Sequence, residues 1–74
     1  MTTQCERITA HLLKRGSITQ QDATELYGIM RLGARIYDLR RRGHRIDRVL
    51  EDGVNRYGER TRYARYIYRG GGDG

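Results

Sequence analysis

Apolar residues at helical spacing predict a first helix over about residues 3–15. They form one stripe along that segment, made of Cys5, Ile8, Leu12 and Leu13. Repeats of three and four positions are typical of an amphipathic helix that buries one face. Thr3 and Glu6 have the spacing of a capping box at the start. Gly16 is expected to end the helix.

A second, shorter helix is predicted to begin at Thr19. The segment 17–19 is short and has the composition of a β-strand. The segment from Thr19 to Asp22 has the pattern of another capping box. Gly28 is expected to end this helix after about two turns. Its predicted buried edge consists of Ala23, Leu26 and Tyr27.

A third helix is predicted from Ile29 or Met30 to Arg42, with Gly43 as the stop signal. Its apolar stripe consists of Ile29, Leu32, Ile36 and Leu39. Intervals of three and four residues place this stripe on one face. The opposite face carries a charged row that points into solvent or toward a ligand, formed by Arg31, Arg35, Asp38 and Arg42.

The remainder of the chain has the pattern of a β-hairpin. The predicted arms are residues 45–54 and 60–69, joined by residues 55–58. Asn55 and Gly58 suit a type I turn closed by a left-handed residue. The inward side of the second arm is expected to carry Ala64, Tyr66 and Tyr68. Asp52-Gly53 is an alternative, earlier turn.

The charge of the chain is concentrated in its second part. Lys and Arg total 15 against 9 Asp and Glu, for a formal net charge of +6. Residues 1–30 are neutral in sum, whereas residues 31–74 contain twelve Arg and six acidic residues. Such asymmetry indicates a surface that binds a polyanion.

The composition argues against several other classes of protein. At 74 residues the chain makes one small domain, and its 36% of hydrophobic residues is enough for a core. No apolar run is long enough to span a membrane. The single cysteine cannot form an internal disulfide, which suits a reducing cytosol.

The soft metal ligands are Cys5, His11 and His44, and their spacing does not suggest a metal site. We expect no cofactor and no enzymatic activity.

These elements together predict an α+β fold of the winged helix-turn-helix type over residues 1–69. Two short helices around a tight turn, with Arg on the outer face of the second, fit a helix-turn-helix. A preceding helix and a basic hairpin, which would form the wing, complete the arrangement. The glycine-rich residues 70–74 are expected to form a flexible tail.

Four segments of the chain resemble a family of small winged helix-turn-helix proteins common in bacteriophages and prophages. The segments are residues 16–19, 25–28, 31–40 and 55–58, within a likeness that covers about residues 3–69. The most specific part is the block Arg-Leu-x-Ala-Arg-Ile-x-x-Leu-Arg followed by Gly43. Gly33 stands in this block where Ala is expected. The resemblance implies DNA binding. Our hypothesis is that the domain acts in transcriptional control or as an accessory factor for site-specific recombination. We expect a bacterial cytosolic location, associated with the nucleoid when bound.

The third helix is the predicted reader of base edges. A helix fits the major groove, and an Arg guanidinium can bond both O6 and N7 of guanine. Arg31 and Arg35 lie near the start of this helix and are our candidates for base contacts. Asp38 is expected to pair with Arg35 or Arg42, or to accept a hydrogen bond from cytosine. For Arg42, a favourable interaction with the dipole at the C-terminal end of the helix and a contact with phosphate are equally expected.

Further DNA contacts are expected from the second helix and from the hairpin turn. The start of the second helix offers three candidate phosphate contacts, Thr19, Gln20 and Gln21. The turn offers Arg56 and Arg60 to the adjacent groove or backbone, with Asn55 and Tyr57 as polar partners. The expected partner is double-stranded DNA. A homodimer, tandem sites or another phage protein would add specificity to one short helix.

Two alternative functions use the same fold differently. A protein-interaction module would need an apolar patch, for which Met30, Ala34 and Tyr37 are the available residues. Binding of RNA or single-stranded DNA would rely on Tyr57 and Tyr63 with the Arg residues of the hairpin.

Overall fold

The computed structural model describes residues 3–71, which form three helices and a three-stranded sheet. The elements are α1 (Gln4–Arg15), β1 (Ser17–Thr19), α2 (Gln20–Tyr27), α3 (Leu32–Arg41), β2 (His44–Val54) and β3 (Arg60–Gly71). The strands are antiparallel and lie in the order β1-β3-β2. The predicted α+β winged helix-turn-helix fold is confirmed.

Side-chain caps and left-handed glycines set the ends of α1 and α2, as predicted. The Thr3 side chain accepts a hydrogen bond from the Glu6 amide, and α1 ends at Gly16. Both bonds of the capping box at the start of α2 are present, between Thr19 and Asp22. Gly28 ends α2 with a φ of 67°, a value that glycine adopts without steric cost.

The helices pack on one face of the sheet, called here the inner face. Cross-strand partners on this face include Ile18 with Tyr66 and Ile46 with Tyr68. The core consists of Cys5, Ile8, Leu12, Ile18, Ala23, Ile29, Leu32, Ile36, Leu39 and Ile46. Tyr66 and Tyr68 pack against it, which confirms their predicted inward direction.

Two residues of the predicted apolar stripes are not in the core. Leu13 is 67% exposed and Leu26 is 60% exposed. Each lies one position from a buried or half-buried neighbour, Leu12 and Tyr27 respectively. The faces of α1 and α2 that the sheet and α3 cover are therefore narrower than the sequence pattern suggests.

Helix α3 begins later than predicted, because residues 29–31 form the turn between α2 and α3. Ile29 is nevertheless buried as expected. The helix crosses the inner face: a Cβ at Gly33 would lie 3.6 Å from the Tyr66 hydroxyl. Near its other end, Arg40 donates to the Ile46 carbonyl of β2.

The hairpin has the predicted turn, and the alternative turn at Asp52-Gly53 is wrong because both residues lie within β2. The Gly58 amide donates to the Asn55 carbonyl at 3.0 Å, and Gly58 has a φ of 78°. The predicted tail is partly strand, since Gly70 and Gly71 are the last residues of β3. Residues 72–74 lie outside the described residues.

Candidate nucleic-acid interface

The junction between α2 and α3 is held by the side-chain amide of Gln20. Its nitrogen donates to the Ile29 carbonyl at 2.8 Å, and its oxygen accepts from the Leu32 amide at 3.0 Å. Gln20 thus provides the N-terminal cap of α3 from another helix, where Arg31 makes no side-chain cap. An unpaired helix amide would otherwise need water or a ligand.

This geometry changes the prediction that the start of α2 contacts phosphate. Both ends of the Gln20 amide are used inside the motif, and Thr19 is 6% exposed with its hydroxyl capping α2. Neither side chain is presented as a free phosphate ligand. Gln21 is exposed and bonds to Glu25 within the same helix. Of the three predicted residues, Gln21 therefore remains a candidate.

The charged row on α3 is exposed at its two ends, Arg31 and Arg42, and is half-buried and paired in its middle. Arg31 is an exposed residue at the start of the helix. The Arg35 guanidinium lies 3.3 Å from the Asp38 carboxylate, one turn further along, which confirms the expected pairing. Their side chains are 36% and 42% exposed. The carboxylate orients the guanidinium, whose other donors remain available to a ligand.

The three consecutive arginines at the end of α3 have three different environments. Arg40 bonds the Ile46 carbonyl through two nitrogens, at 3.0 and 2.7 Å, and so ties α3 to β2. Arg41 lies over the ring of Tyr37, 5.8 Å from its centroid. Arg42 is exposed and lines a shallow depression with Asp38 and Arg41. The depression brings the far end of the predicted charged row to one surface.

At the wing tip, Asn55 builds the turn and its neighbours are presented to solvent. The Asn55 side-chain oxygen accepts from the amides of Tyr57 and Glu59 at 2.9 and 3.0 Å. Tyr57 is 78% exposed, and Arg56 and Arg60 are also exposed. Asn55 is therefore a positioning residue rather than a free contact.

A groove separates the start of α2 from the wing. Four of the predicted site residues line it, namely Thr19, Gln20, Gln21 and Asn55. The remaining predicted residues lie on α3 or at the wing tip. The candidate interface thus consists of the charged row of α3 and the wing tip, with this groove between the start of α2 and the wing.

The outer face of the sheet, opposite the helices, carries arginines that are neutralised by acidic residues of β2. Arg65 donates to Glu51 at 2.8 Å and to the Ser17 hydroxyl at 3.0 Å, and Arg69 pairs with Asp47 at 2.8 Å. The hydrogen bond from Arg65 lowers the pKa of the Glu51 carboxyl, and a hydrogen bond from Tyr63 acts in the same direction. The same pair raises the pKa of Arg65.

The pattern of ion pairs shows where the positive field is uncompensated. Arg62 also has an acidic partner, Asp52, at 3.3 Å. Within residues 3–71, ten arginines have no ion-pair partner, and six of them lie on α3, at its ends or at the wing tip: Arg31, Arg40, Arg41, Arg42, Arg56 and Arg60. Counting charges along the sequence did not separate these two groups, because the pairing depends on cross-strand register.

Residues 3–71 also bear on metal binding, membrane spanning and thiol chemistry. Among residues 3–71, no three His, Cys, Asp or Glu side chains are grouped so that they could hold a metal ion. No helix in the same range is long and apolar enough to cross a membrane. Cys5 is a buried free thiol in the core.

Three helices, a sheet that ends in an exposed hairpin, and a charged third helix define a winged helix-turn-helix domain. The chain belongs to a protein family described as winged helix-turn-helix domain, whose model matches residues 3–69. Domains of this type are typically DNA-binding modules without enzymatic activity. Searches of curated proteins and of solved structures return no match.

Proposed function

We propose that this domain binds double-stranded DNA, with α3 in the major groove and the wing tip on the adjacent groove or backbone. The observation that carries the proposal is that six of the ten arginines without an ion-pair partner lie on α3, at its ends or at the wing tip, whereas Arg65 and Arg69 of the outer face are paired. Phosphates would attract such surfaces in any sequence. Base contacts by Arg31 and Arg35 would add preference.

The biological setting that we propose is a bacteriophage or prophage, with the protein acting in the bacterial cytosol. The role would be transcriptional control or assistance to site-specific recombination. Both roles need the same parts, a basic helix and a wing. The resemblance of the block at residues 31–40 to phage proteins supports this setting.

The first test is fluorescence anisotropy of a labelled random duplex, titrated with protein at several salt concentrations. We expect log K to fall linearly with log salt, by about 0.9 for each phosphate neutralised. Unlabelled duplex should compete better than single-stranded DNA or RNA of equal length. Better competition by a single strand would instead favour stacking on the exposed Tyr57, and no binding at low salt would overturn the proposal.

Arg35→Ala tests base reading by α3. We expect a loss of about 1–3 kcal/mol on a selected site, and a smaller loss on random duplex, because a base contact discriminates between sequences. The measurement is anisotropy on both duplexes. The control is Arg69→Ala, which removes the same charge from a pair on the outer face and should leave both affinities unchanged. Equal losses on the two duplexes would assign Arg35 to phosphate.

Arg56→Ala tests the wing tip. We expect weaker binding to every duplex and a salt slope smaller by about one unit, because one phosphate contact is lost. Arg69→Ala again provides the control of equal charge. An unchanged slope would remove the wing tip from the interface.

A further inference from the structure

Strand β2 is an edge strand of the sheet. Between Arg48 and Asp52, the backbone groups on its free edge are not paired with another strand. Alternate residues of an antiparallel strand direct both N–H and C=O to the same side. The Tyr68 amide donates to Gly16, on the β1 side, so its partner Ile46 directs its backbone groups away from β3. The Ile46 carbonyl accepts a hydrogen bond from Arg40 on the side away from β3, which agrees with this orientation. By alternation, the outward residues that follow are Arg48, Leu50 and Asp52.

This edge is covered at one end, and it carries two exposed apolar side chains in addition to its charges. Arg40 covers it at Ile46. Beyond that point, Leu50 is 55% exposed and Val54 is 70% exposed, with no strand beside them among the described residues. Exposed edges of this kind are templates for pairing with another strand.

The other free edge, on β3 beyond Arg65, is less suited to pairing with a second copy. The start of α2 lies beside it, since β1 pairs with β3 as far as Thr19 and α2 begins at Gln20. Its outward residues include Arg60 and Arg62. Pairing two copies about Arg62 would place like charges directly opposite each other, which destabilises a sheet.

The charges along β2 select one register for the pairing of two copies. When Leu50 lies opposite Leu50 of the second copy, Arg48 of each chain faces Asp52 of the other. A shift of the two-fold centre to Val49 would place Asp47 opposite Glu51, and a shift to Glu51 would place Glu51 opposite itself. A centre at Asp52 would oppose two aspartates. The Leu50 register has opposite charges facing and no like pair.

We propose that two copies of this chain associate through the free edge of β2 in that register, forming one antiparallel six-stranded sheet. The three open residues on each strand would contribute about six backbone hydrogen bonds. Asp52 would lie between Arg62 of its own chain, with which it is paired, and Arg48 of the second copy. Isologous contacts of this kind are the usual way to a closed dimer.

The dimer would present two α3 helices to one DNA duplex. This part of the proposal rests on the proposed DNA-binding function. A two-fold axis perpendicular to the sheet keeps both inner faces, and hence both α3 helices, on the same side. Ile46 and its counterpart would be eight residues apart along the paired strands, or about 27 Å. That spacing is of the order of one turn of B-DNA, so selected sites are expected to be inverted repeats.

The first experiment measures self-association without DNA, by sedimentation over a range of protein concentrations. We expect a reversible dimer for the natural chain. Leu50→Asp should weaken it roughly tenfold or more, because two carboxylates would meet at the two-fold axis. The matched control is Leu13→Asp, at a leucine of α1 that is 67% exposed against 55% for Leu50, and it should leave the dimer unchanged. A monomer at every concentration, or a dimer that Leu50→Asp does not weaken, would overturn the proposal.

The second experiment tests the register by charge reversal. Arg48→Glu alone and Asp52→Arg alone each place like charges opposite each other, so each variant is expected to be monomeric. Mixed together, the two variants restore opposite charges at both positions, and native mass spectrometry should detect the mixed dimer. Circular dichroism of each variant checks that it is folded. A mixture that stays monomeric would reject this register.

Failure of the dimer and failure of DNA binding would be distinguishable. Both association experiments are made without DNA, so their outcome does not depend on duplex binding. A monomer that still binds duplex would overturn the dimer and leave the proposed function standing. A dimer that binds no duplex would overturn the proposed DNA-binding function and leave the dimer standing.

Discussion

The helical part and the hairpin of this domain are stabilised by different interactions. Among residues 3–71, every buried apolar residue apart from Ile46 lies between Cys5 and Leu39, in the helices, β1 and the turns. Beyond Ile46, the hairpin is held by its backbone ladder, by the Asn55 turn and by three ion pairs of partly or largely exposed side chains. The helical part is therefore a packed support, whereas the hairpin is an extension with little core of its own.

This difference separates stability from binding. A substitution in the core changes the folded population and hence every activity of the protein. A substitution at the wing tip, where Arg56 and Tyr57 are exposed, changes contacts with a ligand and little else. The predictions below compare the two regions, from the largest expected effect to the smallest.

Ile36→Ala should have the largest effect. The side chain is 1% exposed at the centre of α3, and its truncation should lower the free energy of unfolding by about 2–5 kcal/mol. Val54→Ala in the hairpin, at a site 70% exposed, should cost less than about 1 kcal/mol. Urea unfolding measures both. Ile36→Val, with an expected cost of about 0.5–1.5 kcal/mol, keeps the test informative if the alanine variant does not fold. Equal losses at positions 36 and 54 would contradict the comparison.

Gln20→Ala should have an intermediate effect. It removes the partner of the Leu32 amide and one of the partners of the Ile29 carbonyl. We expect a loss of about 1 kcal/mol in the free energy of unfolding, because water can replace part of what is lost. Gln21→Ala, the neighbouring exposed glutamine, should stay within about 0.5 kcal/mol of the natural chain. If the two variants are equally stable, the junction does not depend on Gln20.

The smallest effect is expected at Glu51, as a pH dependence of the hairpin. The pKa of Glu51 is lowered in the folded state by the hydrogen bond from Arg65. Its contribution is therefore present above the unfolded pKa and is lost as the pH falls through the folded value. Unfolding of the natural chain and of Glu51→Gln over the acidic range measures it, and the variant should show a shallower decrease. Identical profiles would mean that the ion pair of the outer face does not stabilise the hairpin.

Local sequence signals were sufficient for most of the fold. The caps at Thr3 and Thr19, the stop at Gly28 and the turn at Asn55 each depend on residues within a few positions, and the structure confirms them. The core stripe of α3 was also predicted correctly. These features could be found because periodicity and capping act over one or two helical turns.

The features that sequence reasoning missed depend on contacts between distant elements. The Gln20 side chain caps a helix that begins twelve residues later, and Arg40 bonds a strand edge that the charge pattern does not reveal. Leu13 and Leu26 had the right residue type for burial but lie on faces that nothing covers. The ion pairs of the outer face required the register of β2 and β3. The predicted base and phosphate contacts remain predictions.

The alternation along β2 has a consequence for amide hydrogen exchange. In an isolated chain, the amides of Asp47, Val49 and Glu51 face β3 and should exchange slowly, whereas those of Arg48, Leu50 and Asp52 face solvent and should exchange quickly. Deuterium uptake followed by NMR should therefore alternate from one residue to the next along this strand. Addition of a neighbouring strand would slow the fast set and leave the slow set unchanged, so the odd-even difference would disappear.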